Sequence, residues 1–363
     1  MLMISQLLRK YSSDKMNVDE IKGLHGGYWR HNIIDAHYLF NHYFPNKEMV
    51  QRLQKDLPML IDSYPSAQRI EAKFLSKWYN QESFNENNLL VVNGSSEVIR
   101  ALNHVITKIT VPIPTFNEYV QLPNEKINYF ILDENKKFEL DVDQLLRAIK
   151  DSKSDYTVIN NPNNPVGTLT SRKDIKKLLD AGVKVIIDEA FIEFAGFENS
   201  VQDMVKDYKN LIVIKSIGKS FGVAGLRLGY MLTSDKELIA AVKKYVPIWN
   251  INSVGEWFLE HFPEYRKEFN ESIKKIIGER KYLEDELKKI PYLEVYPSHA
   301  NFVFCKTKIN ARKIVEHLYD KHKILIKDGL NQSMLKSDCY IRIGVKKKDD
   351  IDKIIKALKE IKM

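Results

Sequence analysis

Cysteine is nearly absent from this sequence: Cys305 and Cys339 are the only two in 363 residues. No CxxC spacing occurs, so neither a disulfide framework nor a zinc site is suggested, and no metal is expected. Both cysteines stand in apolar, strand-like runs and read as small buried hydrophobes. No run of about 18 apolar residues occurs, so no membrane-spanning helix is expected. Met1 to Lys10 is mildly apolar but too short and interrupted for a signal peptide. A cytoplasmic protein follows as the expectation. Internal repeats and low-complexity segments are also missing.

Acidic residues are outnumbered, 48 against 56 Lys and Arg, for a formal net charge of +8. The lysines are scattered and mixed with Asp and Glu. The densest run, Lys346-Lys347-Lys348, is followed at once by Asp349 and Asp350, as at the start of a surface helix. This reads as a solvated exterior rather than a nucleic-acid face. It would still favour anionic small molecules by steering.

What is present is an alternation. Short apolar runs read as buried strands: Leu89 to Val92, Lys108 to Val111, Ile127 to Leu132, Tyr156 to Ile159, Val183 to Ile187, Leu211 to Ile214 and Leu228 to Leu232. Between several of them lie helix-spaced patterns. Asp141 stands as a cap before one, Ser171 to Asp174 resembles a capping box before another, and Gly182 is placed to stop that second helix. Strand–helix alternation predicts a three-layer α/β fold with a mostly parallel sheet. From Phe258 onward the pattern changes to long charged amphipathic helices, short strands and a last helix near Asp349 to Ile361, which predicts a smaller C-terminal α+β unit. The expected division is an N-terminal segment over residues 1–45 joining the small unit, a large unit over 46–250 and a small one over 251–363.

In a parallel α/β sheet, ligands bind at the carboxyl ends of the strands. Four polar groups follow predicted strands. Asn93-Gly94-Ser95-Ser96-Glu97 precedes a helical run; exposed backbone N–H groups and hydroxyls there suit a phosphate, or an ordinary helix cap. Asn160-Asn161-Pro162-Asn163-Asn164-Pro165-Val166-Gly167 fixes an irregular turn that would hold its amides rigidly. Asp188, ending a strongly apolar strand, wants a positive partner or caps the next element. Lys219 lies in a tight loop with Gly218, Gly222 and Gly225, with Ser216 three residues before it and Arg227 eight after it. A desolvated lysine near other positive charge becomes nucleophilic and can form an imine, and the arginine can grip a phosphate bidentately.

Together these parts suit one cofactor, pyridoxal 5′-phosphate. Their order and spacing resemble the fold-type I pyridoxal-phosphate enzymes of the aspartate aminotransferase superfamily, and within it the branch of histidinol-phosphate aminotransferase and threonine-phosphate decarboxylase. The resemblance runs from His25 to the C-terminus and rests on the motifs Asn161–Gly167, Asp188–Phe191 and Ser216–Arg227. It implies that Lys219 is the Schiff-base lysine and proton shuttle, that Asp188 pairs with the pyridinium nitrogen and that Asn164 hydrogen-bonds the ring 3-hydroxyl. Gly94, Ser95, Ser96, Ser216 and Arg227 would bind the cofactor phosphate, and Phe116 would stack on the ring. Tyr64 resembles the tyrosine that reaches a neighbouring subunit's cofactor, which implies a homodimer with shared sites. Arg342 matches the arginine that grips the substrate α-carboxylate.

Two departures stand out. Phe191 replaces a tyrosine that donates to the 3-hydroxyl in many relatives; Phe cannot donate, so the Schiff base should titrate higher here. Lys327 stands where the phosphate-binding branch often has Arg, and can hold an anion but not bidentately. The motif His25-Gly26-Gly27 resembles one that helps bind substrate phosphate in threonine-phosphate decarboxylase. His25, Lys327 and Arg342 point to an acidic substrate bearing a phosphate or phosphonate. Transamination with a donor such as glutamate is expected first, and decarboxylation of a phosphorylated amino acid is the alternative. A regulator carrying a helix-turn-helix module is not expected, because the N-terminal region offers no room for one.

Overall fold

A computed structural model describes residues 16–79, 85–329 and 338–362. The expectation for Met1 to Lys10 therefore lies outside the described residues. The strands are β1 (Ile34–Asp35), β2 (Leu89–Asn93), β3 (Ile109–Ile113), β4 (Ile127–Ile131), β5 (Tyr156–Asn160), β6 (Lys184–Asp188), β7 (Leu211–Ser216), β8 (Leu228–Leu232), β9 (Leu293–Val295), β10 (Phe302–Thr307), β11 (Ile324–Leu325), β12 (Lys327–Asp328) and β13 (Tyr340–Gly344).

Seven strands form the large sheet, in the order β2-β8-β7-β6-β5-β3-β4. β3 to β7 run parallel, and β8 alone is reversed against both of its neighbours. Its central strands are buried along their length, which is why they read as unbroken apolar runs rather than alternating ones. Helices cover both faces. Asp141 caps Val142–Ser152 by accepting from Gln144 N at 3.1 Å, and Ser171 caps Arg172–Asp180 by accepting from Asp174 N at 3.1 Å. A mostly parallel α/β fold is what the sequence predicts.

A second, antiparallel sheet has the order β12-β13-β10-β9. The 22-residue helix Arg266–Leu287 packs on it, together with Ala311–His322 and Lys348–Lys359. The early chain joins this part: β1 pairs in parallel with β11, Ile34 opposite Ile324. Among the described residues no helix is long and apolar enough to cross a membrane.

Four local readings change. β7 runs on to Ser216, and Lys219 lies in a short helix, Ile217–Ser220, rather than in a loop. Asp188 is the last residue of β6, not the residue after it. Cys305 is buried as expected, but Cys339 is only half-buried, because β13 begins one residue later. Lys346 is buried rather than solvated: the helix starts at Lys348, and the Lys346 ammonium lies 4.7 Å from the Phe40 ring centre.

Candidate active site

β5, β6 and β7 end in Asn160, Asp188 and Ser216, and parallel register sets Asn160 beside Asp188. Over these carboxyl ends lies a cavity of about 140 Å³. Its walls include Ser95, Phe116, Asn164, Asp188, Phe191, Lys219, Lys327 and Arg342. Seven of the residues singled out in the sequence, with Phe191, thus meet in one place although they span 248 positions (342 − 95 = 247, plus one).

Lys219 is held from behind. Its carbonyl accepts from Asn41 N at 2.9 Å, and Asn41 Nδ2 donates to Ser220 O at 2.9 Å and to Ser272 Oγ at 2.7 Å. Gly222 (φ +65°) lets this contact close. A Cβ there would collide with the carbonyl oxygens of Phe44 and Asn41. Burial, then the charges of Arg342 and Arg227, lower the Lys219 pKa to about 8, against the opposing pull of Asp188. An amine with a neutral fraction near physiological pH, far larger than a free lysine has, can act as a nucleophile or accept a proton.

Asp188 is buried with neutral hydrogen-bond donors. Tyr119 OH donates to Oδ2 at 2.9 Å and Ala190 N to Oδ1 at 3.0 Å. Burial raises its pKa, while Tyr119, Ala190, Lys215 and Lys219 pull it down. Beneath it lies a buried network. Glu189 accepts from Ser200 Oγ, Val201 N and Gln202 Nε2 at 2.6–2.7 Å, and Lys215 bridges Glu189 O and the Glu193 carboxylate. These bonds compensate two buried carboxylates and fix the strand end that carries Asp188.

Asn164 and Arg342 meet: Arg342 Nη1 donates to Asn164 Oδ1 at 2.7 Å, and Nη2 donates to His37 O at 2.7 Å. With Oδ1 accepting, the role left to Asn164 toward a ring oxygen is donation from Nδ2. Burial lowers the Arg342 pKa to about 10, so the guanidinium stays charged at neutral pH. Both Asn–Pro bonds of the turn are cis. Asn161 ties it to Thr170 through Nδ2 and Oδ1, and Asn163 Nδ2 donates to Pro114 O.

At the other end of the cavity, Gly94 (φ +74°) opens the helix Ser95–Leu102. A Cβ at Gly94 would lie 2.8 Å from Arg227 Nη2, so the guanidinium packs directly over the helix start. A helix amino end facing a guanidinium is an anion site. Ser96 is half-buried on the first turn, and Ser216 is buried at the end of β7; neither is among the cavity walls.

Lys327 lines both this cavity and an adjoining chamber of about 370 Å³ that also contains Lys22, His25, Arg312, Asp19 and Asp328. Lys22 pairs with Asp328 at 2.6 Å and Arg312 with Asp19 at 2.6 Å. Burial and the charge of Arg342 lower the Lys327 pKa to about 7. His25 therefore stands in the outer chamber, not beside the other residues. Tyr64 is 81% exposed and stacks on Trp249 at 4.7 Å between ring centres, away from the cavity of its own chain.

Sequence reasoning missed Tyr119, His37, Tyr38 and Asn117. Tyr119 follows Phe116 by three residues on one short turn, a usable signal. His37 and Tyr38 carried none, because the segment around them shows no periodicity.

The donor set fits pyridoxal phosphate. It offers a partly neutral buried amine, a buried carboxylate with no cation in hydrogen-bond contact among the described residues, and a guanidinium over a helix amino end. The chain matches the aminotransferase class I and II family over residues 60–358. It is 32% identical over 348 residues to CMP-5′-(3-aminopropyl)phosphonate synthase of Streptomyces rubellomurinus, covering 94% of this chain and 55% of that protein. It thus spans little more than half the length of that relative. It is 31% identical over 351 residues to L-serine phosphate decarboxylase of Sulfurospirillum multivorans, covering 90% and 88%. The solved histidinol-phosphate aminotransferase of Clostridium acetobutylicum superposes with a TM-score of 0.81 at 28% identity, covering 90% of this chain and 98% of that one. The chain is a member of the aminotransferase class I and II family, with the fold-type I architecture, and its cofactor is pyridoxal 5′-phosphate.

Proposed function

We propose that this enzyme removes the carboxylate of a small α-amino acid bearing a phosphate or phosphonate at its far end. One observation carries the reading: two separate cationic positions, Arg342 and Lys327, face one cavity. A single substrate with an α-carboxylate and a distal anion engages both at once. The serine-phosphate decarboxylase, with which the chain shares most of its length, supports the same choice.

In this proposal Arg342 grips the α-carboxylate, oriented by Asn164 and His37 O. Lys327 and, further out, His25 hold the distal anion, with Lys22 and Arg312 fixed by their carboxylates. Gly94, Ser95, Ser96, Ser216 and Arg227 hold the cofactor phosphate, Phe116 covers the ring, Asn164 Nδ2 donates to the ring oxygen and Asp188 keeps the pyridine nitrogen protonated. Pyridoxal phosphate bound there supplies an electron sink conjugated to the substrate α-carbon. Loss of CO₂ leaves an electron pair on that carbon, and Lys219 delivers the proton that takes its place. The balance is one amino acid and one proton giving one amine and one CO₂.

Transfer of the amino group is the second reading, supported by the histidinol-phosphate aminotransferase likeness. There Lys219 moves the proton between two carbons and Arg342 receives the carboxylate of a donor such as glutamate. A homodimer belongs to both readings, supported by the exposed Tyr64–Trp249 pair with Ile61 and Ile248 nearby in sequence, each more than half exposed. The division at residues 45 and 250 is supported by the β1–β11 pairing and by a large sheet confined to residues 89–232.

The test is carboxyl-labelled serine phosphate. Labelled CO₂ in step with ethanolamine phosphate supports decarboxylation. Loss of the visible cofactor absorbance on adding glutamate, with no CO₂ from any phosphorylated amino acid, sinks it in favour of transfer.

A further inference from the structure

Outside the cavity walls, two helices of the small part end side by side. Ala311–His322 carries His317 and His322 on its last turns, and Glu360 follows the end of Lys348–Lys359. One ligand atom from each of the three lies within 4.8 Å of the others. His322 Nε2 is 2.9 Å from Glu360 Oε2, yet it makes no aligned hydrogen bond. His317 Nε2 is buried with no hydrogen-bond partner. A ring nitrogen without a hydrogen-bond partner is one that a metal can engage.

We propose that His317, His322 and Glu360 form a binding site for a divalent transition metal, zinc above all. Two imidazoles and one carboxylate are a borderline-soft donor set that leaves a fourth, water-filled position on a tetrahedral ion. Two observations converge. The buried His317 Nε2 lacks a partner, which is costly, and His322 Nε2 meets the Glu360 carboxylate without an aligned hydrogen bond. Both helices present their carboxyl ends, whose partial negative charge favours a cation. His322 and Glu360 stay 26% and 43% exposed, which gives the ion a route in. Tetrahedral bonds of about 2.0–2.1 Å need ligand atoms about 3.3 Å apart, so side-chain rotations that close at most about 1.5 Å complete the site. The ion would pin the last turn of one helix to the end of the other. The cysteine pattern could not reveal this site, because cysteine takes no part in it.

The experiment is equilibrium dialysis of the holoenzyme against ZnCl₂ after chelator treatment, with metal counted per chain and the melting temperature recorded. The expected result is one zinc per chain and a higher melting temperature in the wild type, with both lost in His317→Gln and in Glu360→Gln. Glu360→Gln changes only a partly exposed group, so it reports even if His317→Gln folds poorly. Equal zinc retention in wild type and Glu360→Gln, or none in the wild type, overturns the proposal.

Discussion

Arg342 on β13 donates to Asn164 in the turn after β5, at 2.7 Å, and so joins the small sheet to the carboxyl end of the large one. The same pair would face the substrate on one side and the cofactor ring on the other. A change at either residue should therefore be felt at both. Arg342→Lys should lower kcat/KM by about 10–100-fold, since a charge-assisted hydrogen bond is worth about 1.5–3 kcal/mol. Asn164→Ala should shift the cofactor absorption. A double-mutant cycle on kcat/KM should show coupling above about 0.5 kcal/mol; strict additivity would mean the bond is idle.

Lys219 titrates near pH 8, against about 10.4 for a free lysine. At pH 7 about one chain in ten then carries the neutral amine. Reconstitution of the cofactor-free enzyme should speed up with pH and level off above about 8, followed by visible absorbance. Between these two pKa values the unfolded chain binds more protons, so this group makes the cofactor-free protein more stable as pH rises through the window. Lys219→Ala should abolish the absorbance and lower turnover at least ~10²–10⁴-fold. A flat rate from pH 6 to 10 would contradict a depressed pKa.

Lys327 titrates near pH 7 without substrate. Its charge is present below that value and fades above it. KM for a phosphorylated amino acid should rise with pH above about 7, while KM for the unphosphorylated analogue should not. Lys327→Met should raise the first KM and leave the second, and Lys327→Arg should restore it. Equal effects on both substrates would remove Lys327 from the distal anion.

Gly222→Ala places a methyl group against two main-chain carbonyls at a positive φ. The backbone strain alone is of order 1–3 kcal/mol, and the collision adds to it. Urea unfolding should show a clear loss of stability. The cofactor absorption should shift too, because the displaced segment holds Lys219 O. An unchanged midpoint would mean the segment yields freely.

The alternating runs made the large sheet legible, because strands buried on both faces have little choice of residue. The carboxyl-end rule then collected Asn164, Asp188 and Lys219. Strand ends were less legible: Ser216 and Asp188 are polar, so an apolar criterion stops short of them, yet backbone pairing carries β6 and β7 through both. The helical setting of Lys219 was hidden by three glycines that look like a loop, two of which, Gly218 and Gly222, instead permit close contacts around a single turn. His37 and the Lys215–Glu193 pair left no pattern at all, since their partners are 305 and 22 residues away. Lys346 misled because a lysine run reads as solvated whether or not an aromatic ring lies under one member.

The pairing of Ile34 with Ile324 has a consequence for how the protein is made. These residues are 290 positions apart (324 − 34 = 290). On the ribosome, this strand has no partner until Ile324 and Leu325 have emerged. The central sheet can assemble from neighbours in sequence, but the segment that backs Lys219 and Arg342 must wait for residues 290 positions downstream. Catalytic competence should thus arrive only after the large sheet is already formed.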